Sequence, residues 1–333
     1  MAEAVDEECE DQGLESAKLS QQEVERLRQF ASIEQGPFEQ EISYESDGKM
    51  NQQWEICQKN PGHPGFIPIN SFKIDHLPEG YRDQTIYKLL KALGELTVKI
   101  QVAHISPDRP ESMNGTKFPC FKTCERSAWM TRCGTGRVWG VEEMSGACPC
   151  FPCQRSPSPR EEWGKVNVLT AMHLVYDKSE GVRTVCIWGY DNADSKKEMF
   201  DGVGCYKTSF DQDMCYVECI THNVKLVRKL RLLLEDYQAK CQVVRDKYAN
   251  DASAKLTVIV SHPHGREKYI TVGNWVEKEV KMNGDTKYFY TTDTCQGCSG
   301  APVYVLGKKE GWWLTHRHSG VEPPYNVSGI GWL

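Results

Sequence analysis

The feature that most constrains this chain is a succession of short apolar runs, each of strand length, separated by Gly, Asp and Asn. Leu96, Val98, Ile100 and Val102 alternate with Thr97, Lys99 and Gln101, the period of a half-buried strand. Runs of β type follow at 165–169, 183–188, 214–219, 256–260, 269–272, 288–291, 302–306 and 312–316. They do not alternate with helices as parallel βαβ units do, so the pattern predicts a mainly β fold built as an antiparallel barrel or sandwich. Two helices interrupt it. Ile86, Leu89, Leu90 and Leu93 share one face of a helix over 83–94, with Gly94 as its stop. Val224, Val227, Leu230, Leu234 and Cys241 form the stripe of a longer helix over about 222–248, expected to pack on the barrel.

Charge divides the chain. Residues 1–47 carry fourteen acidic side chains against three basic ones, while the whole chain nets −6, which leaves the rest mildly positive. The polar, acidic stretch 1–50 reads as a disordered or loosely attached leader, and 51–94 as an N-terminal extension containing the short helix. Residues 95–333 read as the main domain. No dense basic stripe points to nucleic acid, and no run approaches the ~20 apolar residues of a membrane helix. The acidic start lacks the basic and apolar segments of a secretory signal, so the expected compartment is cytoplasm or nucleus. In that setting the fifteen cysteines are expected to be thiols, metal ligands or catalysts. Cys120, Cys124, Cys148, Cys150 and Cys153 are candidate zinc ligands, although their spacing is not that of a standard finger.

Three segments carry chemistry when taken together. In Asp293-Thr-Cys-Gln-Gly-Cys-Ser-Gly-Ala-Pro302, Ser299 is surrounded by small residues. Gly297 there lets its own N–H and that of Ser299 aim at one point, as an oxyanion hole requires. His173 ends the apolar run Val166-Asn-Val-Leu-Thr-Ala-Met-His, and Asp213 immediately precedes another in Asp213-Met-Cys-Tyr-Val. Asp213 is preferred to Asp211 because the apolar run begins directly after it. A serine hydroxyl needs a base near neutrality, and that base needs an acid to fix its tautomer.

These segments resemble the trypsin/chymotrypsin family of serine proteases, whose order along the chain is His, Asp, Ser. Leu-Thr-Ala-Met-His173 is similar to the family's Thr-Ala-Ala-His, Asp213-Met-Cys-Tyr-Val to Asp-Ile-Ala-Leu-Leu, and Gly-Cys-Ser299-Gly-Ala-Pro to Gly-Asp-Ser-Gly-Gly-Pro. His262-Pro-His-Gly265 resembles a turn of the V8-like and HtrA-like members. Cys298 stands where the secreted enzymes have the aspartate that pairs with a cleaved N-terminus, so activation by that route is not expected.

The resemblance implies a chymotrypsin-like double antiparallel β-barrel over 95–333 and an intracellular endopeptidase. His173, Asp213 and Ser299 would act on protein or peptide substrates without a cofactor. The rival reading is an inactive protease-like interaction module, with or without structural zinc. For substrate binding, Asp293 resembles the pocket aspartate of trypsin and would favour Lys or Arg on the acyl side of the scissile bond. His318, in His-Ser-Gly320, resembles the Glu-specific V8-like enzymes and would favour acidic residues. Ser319 and Gly320 read as the edge that pairs with substrate backbone.

Overall fold

The computed structural model describes residues 36–44, 50–112, 130–308 and 316–331. Two short strands come from the N-terminal part, β1 (Glu41–Tyr44) and β2 (Ile67–Pro68). The next six are β3 (Thr97–Val102), β4 (Met130–Ser145), β5 (Glu162–Thr170), β6 (Thr184–Trp188), β7 (Glu198–Ser209) and β8 (Met214–Thr221). They pair antiparallel in the order β4-β3-β6-β7-β8-β5, and β5 returns to β4, so the sheet closes into a six-stranded barrel. β1 adds to the start of β4, with Glu41 opposite Cys133.

A second set comprises β9 (Leu256–Ser261), β10 (Tyr269–Val280), β11 (Thr286–Tyr290), β12 (Val303–Val305), β13 (His318–Glu322) and β14 (Tyr325–Ser328). Their order is β12-β9-β10-β11-β14-β13, and a bridge between Pro302 and Arg317 joins the two ends. The N–H of Val303 donates to the carbonyl of His316 at 3.0 Å across that seam. The molecule is therefore a double antiparallel β-barrel, in which closure leaves few unpaired edges.

Alternation along the strands fills the barrels. Val98, Ile100, Val138, Val166, Val168, Phe200 and Val217 are buried in one continuous core with Val258, Val260 and Ile270. The helix Gln84–Leu96 buries Ile86, Leu89, Leu90 and Leu93 in the same core, and Asp83 caps it by accepting from the Thr85 N–H at 2.7 Å. The long helix Val224–Tyr248 is capped by Asn223 and buries Leu226, Val227, Leu230, Tyr237, Cys241 and Val244. Its stripe is rotated slightly from expectation, leaving Val224 and Leu234 half-buried. Lys247 and the Tyr248 hydroxyl, at its far end, both bind Asp83 Oδ2, at 2.6 and 2.8 Å, tying the helix ends together. No helix among the described residues is long and apolar enough to cross a membrane.

Several strands differ from their sequence signals for physical reasons. β7 has no clean apolar run, because Gly202, Gly204 and charged residues carry it through two register shifts. β10 extends beyond residue 272 as a ribbon with β11, where its charged side chains face solvent and alternation is lost. Residues 312–315 of the expected run 312–316 lie outside the described residues. Residues 36–44, inside the acidic leader, pack against the body of the protein.

Candidate active site

His173 follows the end of β5, Asp213 sits in the tight β7–β8 connection, and Ser299 precedes β12, so the two barrels contribute to one cleft. His173 Nε2 lies 2.7 Å from Ser299 Oγ. Its Nδ1 lies 2.8 Å from Asp213 Oδ2 and 2.9 Å from Oδ1, and the His173 backbone N–H donates to Oδ1 at 2.9 Å. With the proton held on Nδ1 by the carboxylate, Nε2 faces the hydroxyl as an acceptor. Burial pushes the Asp213 carboxyl up, but His173 and Arg317 pull harder and its pKa is lowered overall. Ser319 Oγ donates to Asp213 Oδ2 at 2.6 Å, and the Arg317 Nε donates to the Asp213 carbonyl at 2.7 Å. Those contacts hold Asp213 at a φ of 53°, uncommon for a residue with a side chain.

A buried ion cluster fixes the other side of the histidine. Glu180 bonds Arg109 through Oε1 and Oε2 at 2.6 and 2.8 Å, and accepts from Arg132 at 2.8 Å. Arg109 also donates to the His173 carbonyl, and Arg132 to that of Leu174. Burial raises the Glu180 carboxyl, yet the two guanidinium charges lower it to about 2.

The serine loop is fastened to the first barrel by Thr135 of β4. Its N–H donates to the Ser299 carbonyl at 2.8 Å, and its hydroxyl donates to the Gly297 carbonyl at 2.9 Å while accepting from the His262 N–H. Gly300, at φ +82°, has no room for a side chain: a Cβ would come within 2.3 Å of the Thr135 carbonyl oxygen. Cys298, next to the serine, is wholly buried beside Ser261, and burial pushes its thiol up to about 12.

The cleft contains part of the chain's own leader. The Gly297 N–H donates to the carbonyl of Glu39 at 2.7 Å and the Ser299 N–H to the same oxygen at 3.3 Å, while the Glu39 N–H reaches Ser299 Oγ at 3.1 Å. Phe38 pairs with Gly320 in an antiparallel bridge and stacks on His173 with ring centroids 4.2 Å apart. The Val321 N–H donates to the Pro37 carbonyl at 3.1 Å. After Gln40 the chain continues as β1.

The side chain of Glu39 enters a polar pocket. His318 Nε2 lies 2.6 Å from Oε2, the Thr294 hydroxyl donates to Oε2 at 2.7 Å, and Lys59 Nζ donates to Oε1 at 2.5 Å. Lys59 is itself placed by Thr294 Oγ1 and Asn326 Oδ1. The Tyr290 hydroxyl donates to the Val327 carbonyl at 3.1 Å and lies 2.7 Å from His318 Nδ1, holding the ring with Nε2 facing the acid. Burial raises the Glu39 carboxyl, but Lys59 and His318 pull it down to about 2.

The expected residues Gly297, Ser299, His318 and Gly320 thus surround this segment, and Ser319 braces Asp213. The Asp293 carboxylate packs against Gly65, where a Cβ would come within 2.1 Å of Oδ2, and Thr294 next to it meets the Glu39 acid. Lys59 and Glu39 gave no local signal, because they lie in the irregular extension and the acidic leader.

This arrangement of barrels and cleft is the chymotrypsin-like protease fold. No protein-family model and no curated protein matches the chain. Among solved structures it is similar to Deg5 at 11% identity and a TM-score of 0.37, covering 76% of this chain and 90% of that one. The active form of the Rv3671c protease from M. tuberculosis gives 15% identity and a TM-score of 0.37, covering 73% and 78%. The HtrA-type protease AlgW with a tripeptide gives 8% and 0.36, covering 74% and 60%.

Among the described residues, two groups of side chains have the donor types of metal sites. The candidates Cys148, Cys150 and Cys153 lie together, and His222, just before the long helix, completes their tetrad. Cys120 and Cys124 lie outside the described residues. The second tetrad, Cys57, His63, His264 and Cys295, has no counterpart among the sequence expectations.

Proposed function

We propose that the chain is a serine endopeptidase that cuts after glutamate, and that its own Glu39–Gln40 bond is its first substrate. The observation carrying this reading is the seating of Glu39, with its carbonyl on two backbone N–H donors, its backbone at the nucleophile and its acid in a pocket of matching charge. Ser299 attacks the carbonyl carbon while His173 accepts the hydroxyl proton, and Asp213 stabilises the imidazolium. The N–H groups of Gly297 and Ser299 bind the developing oxyanion. His173 then gives the proton to the departing amine of Gln40, leaving an acyl-enzyme on Ser299. Water, deprotonated by His173, releases the acid.

The pocket selects glutamate by charge and hydrogen bonding together. Lys59 supplies a cation, and His318 and Thr294 supply neutral donors, so a lysine substrate would bring two cations together. Until the bond is cut, the leader occupies the cleft as a tethered competitor, which makes access by other peptides depend on its removal.

Peptide-library cleavage profiling of the chain beside Ser299→Ala tests this reading. Products ending in Glu, formed by the parent and absent with the variant, are expected. Well-folded protein that cuts no peptide and is not labelled at Ser299 by a fluorophosphonate would favour the interaction-module reading.

A further inference from the structure

Beyond the peptidase reading, and independent of it, we infer that the chain binds structural zinc through Cys57, His63, His264 and Cys295. All four are buried, and their ligand atoms lie within 4.8 Å of one another. Cys57 Sγ and Cys295 Sγ are 3.6 Å apart. Two thiolates on one tetrahedral zinc, with Zn–S bonds of ~2.3 Å, lie ~3.8 Å apart. The imidazoles provide the independent observation. Both ring nitrogens of His63 and Nε2 of His264 are buried with no hydrogen-bond partner. A buried polar atom left unpaired is costly, and a cation at the centre of the tetrad would satisfy one nitrogen of each ring.

The surroundings match a metal site. Nδ1 of His264 lies 2.8 Å from Glu41 Oε2, the carboxylate contact that orients a ligating imidazole and leaves Nε2 for the metal. Asn60 Nδ2 donates to Cys295 Sγ at 3.1 Å, a contact that favours the thiolate. Trp54 stacks on His63 with centroids 3.6 Å apart and fixes the plane of the ring. Two sulfur and two imidazole donors in a closed, buried tetrad suit zinc held structurally, with each thiol entering as its thiolate and giving up its proton.

The site joins distant parts of the chain. Cys57 and His63 belong to the extension and flank Lys59, which meets Glu39. Cys295 lies two residues before Gly297, and the His264 N–H donates to the Gln296 carbonyl at 2.6 Å. One ion would therefore bolt the acid-binding lysine to the loop that carries the oxyanion donors.

A separate geometry carries a second zinc at Cys148, Cys150, Cys153 and His222. The three sulfurs lie 3.2, 3.6 and 3.5 Å from His222 Nε2. Zn–S of ~2.3 Å and Zn–N of ~2.0 Å at tetrahedral angles place sulfur and nitrogen ~3.5 Å apart.

Elemental analysis of the full chain, expressed with zinc and purified without chelator, tests both sites in the Ser299→Ala background that keeps the chain whole. Two zinc ions per chain are expected. His63→Ala with Cys57→Ser should retain one, and Cys150→Ser with His222→Ala should retain the other. Should a variant fold poorly, cobalt substitution of the otherwise unaltered chain gives a second readout, with thiolate charge-transfer bands expected at two equivalents. Unchanged zinc content in the His63/Cys57 variant, or a disulfide mapped between Cys57 and Cys295 in protein kept reduced, overturns the first site. Unchanged content in the Cys150/His222 variant overturns the second, and metal-free protein that also gives no cobalt–thiolate bands overturns both.

Discussion

Glu39 Oε2 and His318 Nε2 are 2.6 Å apart although the residues are separated by 279 positions, and this contact brings the leader's acid to the substrate cleft. The residue adjacent to Asp293 and the histidine at 318 grip an acid, and the extension adds Lys59 to oppose its charge.

Replacing Lys59 by Met should therefore lower kcat/KM for glutamate peptides about 10- to 100-fold, the loss of ~1.5–3 kcal/mol from a charge-assisted hydrogen bond. Matched Glu and Gln peptides should converge in rate. An unchanged Glu/Gln ratio would remove Lys59 from the pocket.

The depressed pKa of Glu39 sets a pH dependence. Its stabilising contribution is complete above the ordinary carboxyl value of 4.5 and is lost as pH falls through about 2. In a Ser299→Ala background, a further Glu39→Gln change should lower Tm by an amount that is steady from pH 7 to about 5 and shrinks below 4.5. A gap that widens on acidification would contradict the assignment.

Glu180 should matter for stability. Glu180→Ala leaves Arg109 and Arg132 buried without their shared acid, and breaking such a cluster costs about 3–5 kcal/mol. Chemical denaturation should show the loss. A change under 1 kcal/mol would mean that water or rearrangement replaces the carboxylate.

Thr135→Val tests the coupling between the barrels. It removes the hydroxyl bonds to the Gly297 carbonyl and the His262 N–H but touches no substrate atom. As a positioning residue it should lower kcat about tenfold with KM nearly unchanged, since the oxyanion donors lose alignment. An effect confined to KM would place Thr135 in binding instead.

The legible parts of this protein are those whose signal is local. Strand alternation at 97–102 and the helix face at 86–93 each follow from a simple side-chain period, about 2 for the strand and about 3.6 for the helix, and Ser299 is marked by the small residues its loop needs. Thr294 meets Lys59 and Glu39 only across separations of 235 and 255 positions, and those two lie in irregular chain, so no neighbouring pattern marks them. His222 is likewise joined to Cys148, Cys150 and Cys153 only by the closing of the first barrel. His63-Pro-Gly and His262-Pro-His-Gly do carry a detectable sign, histidines held in Pro/Gly turns. Both His63 and His264 adopt a positive φ, near 50°, in those turns.

The most direct measurement is the intact mass and new N-terminus of the purified full-length chain over time, beside Ser299→Ala. Release of residues 1–39 and a fragment beginning at Gln40 are expected, at a rate independent of protein concentration, with the variant remaining whole. Parent and variant both staying intact under conditions where the parent is folded and cuts other glutamate peptides would contradict Glu39 as a productively seated substrate. Cleavage that persists in the variant would contradict Ser299 as the nucleophile.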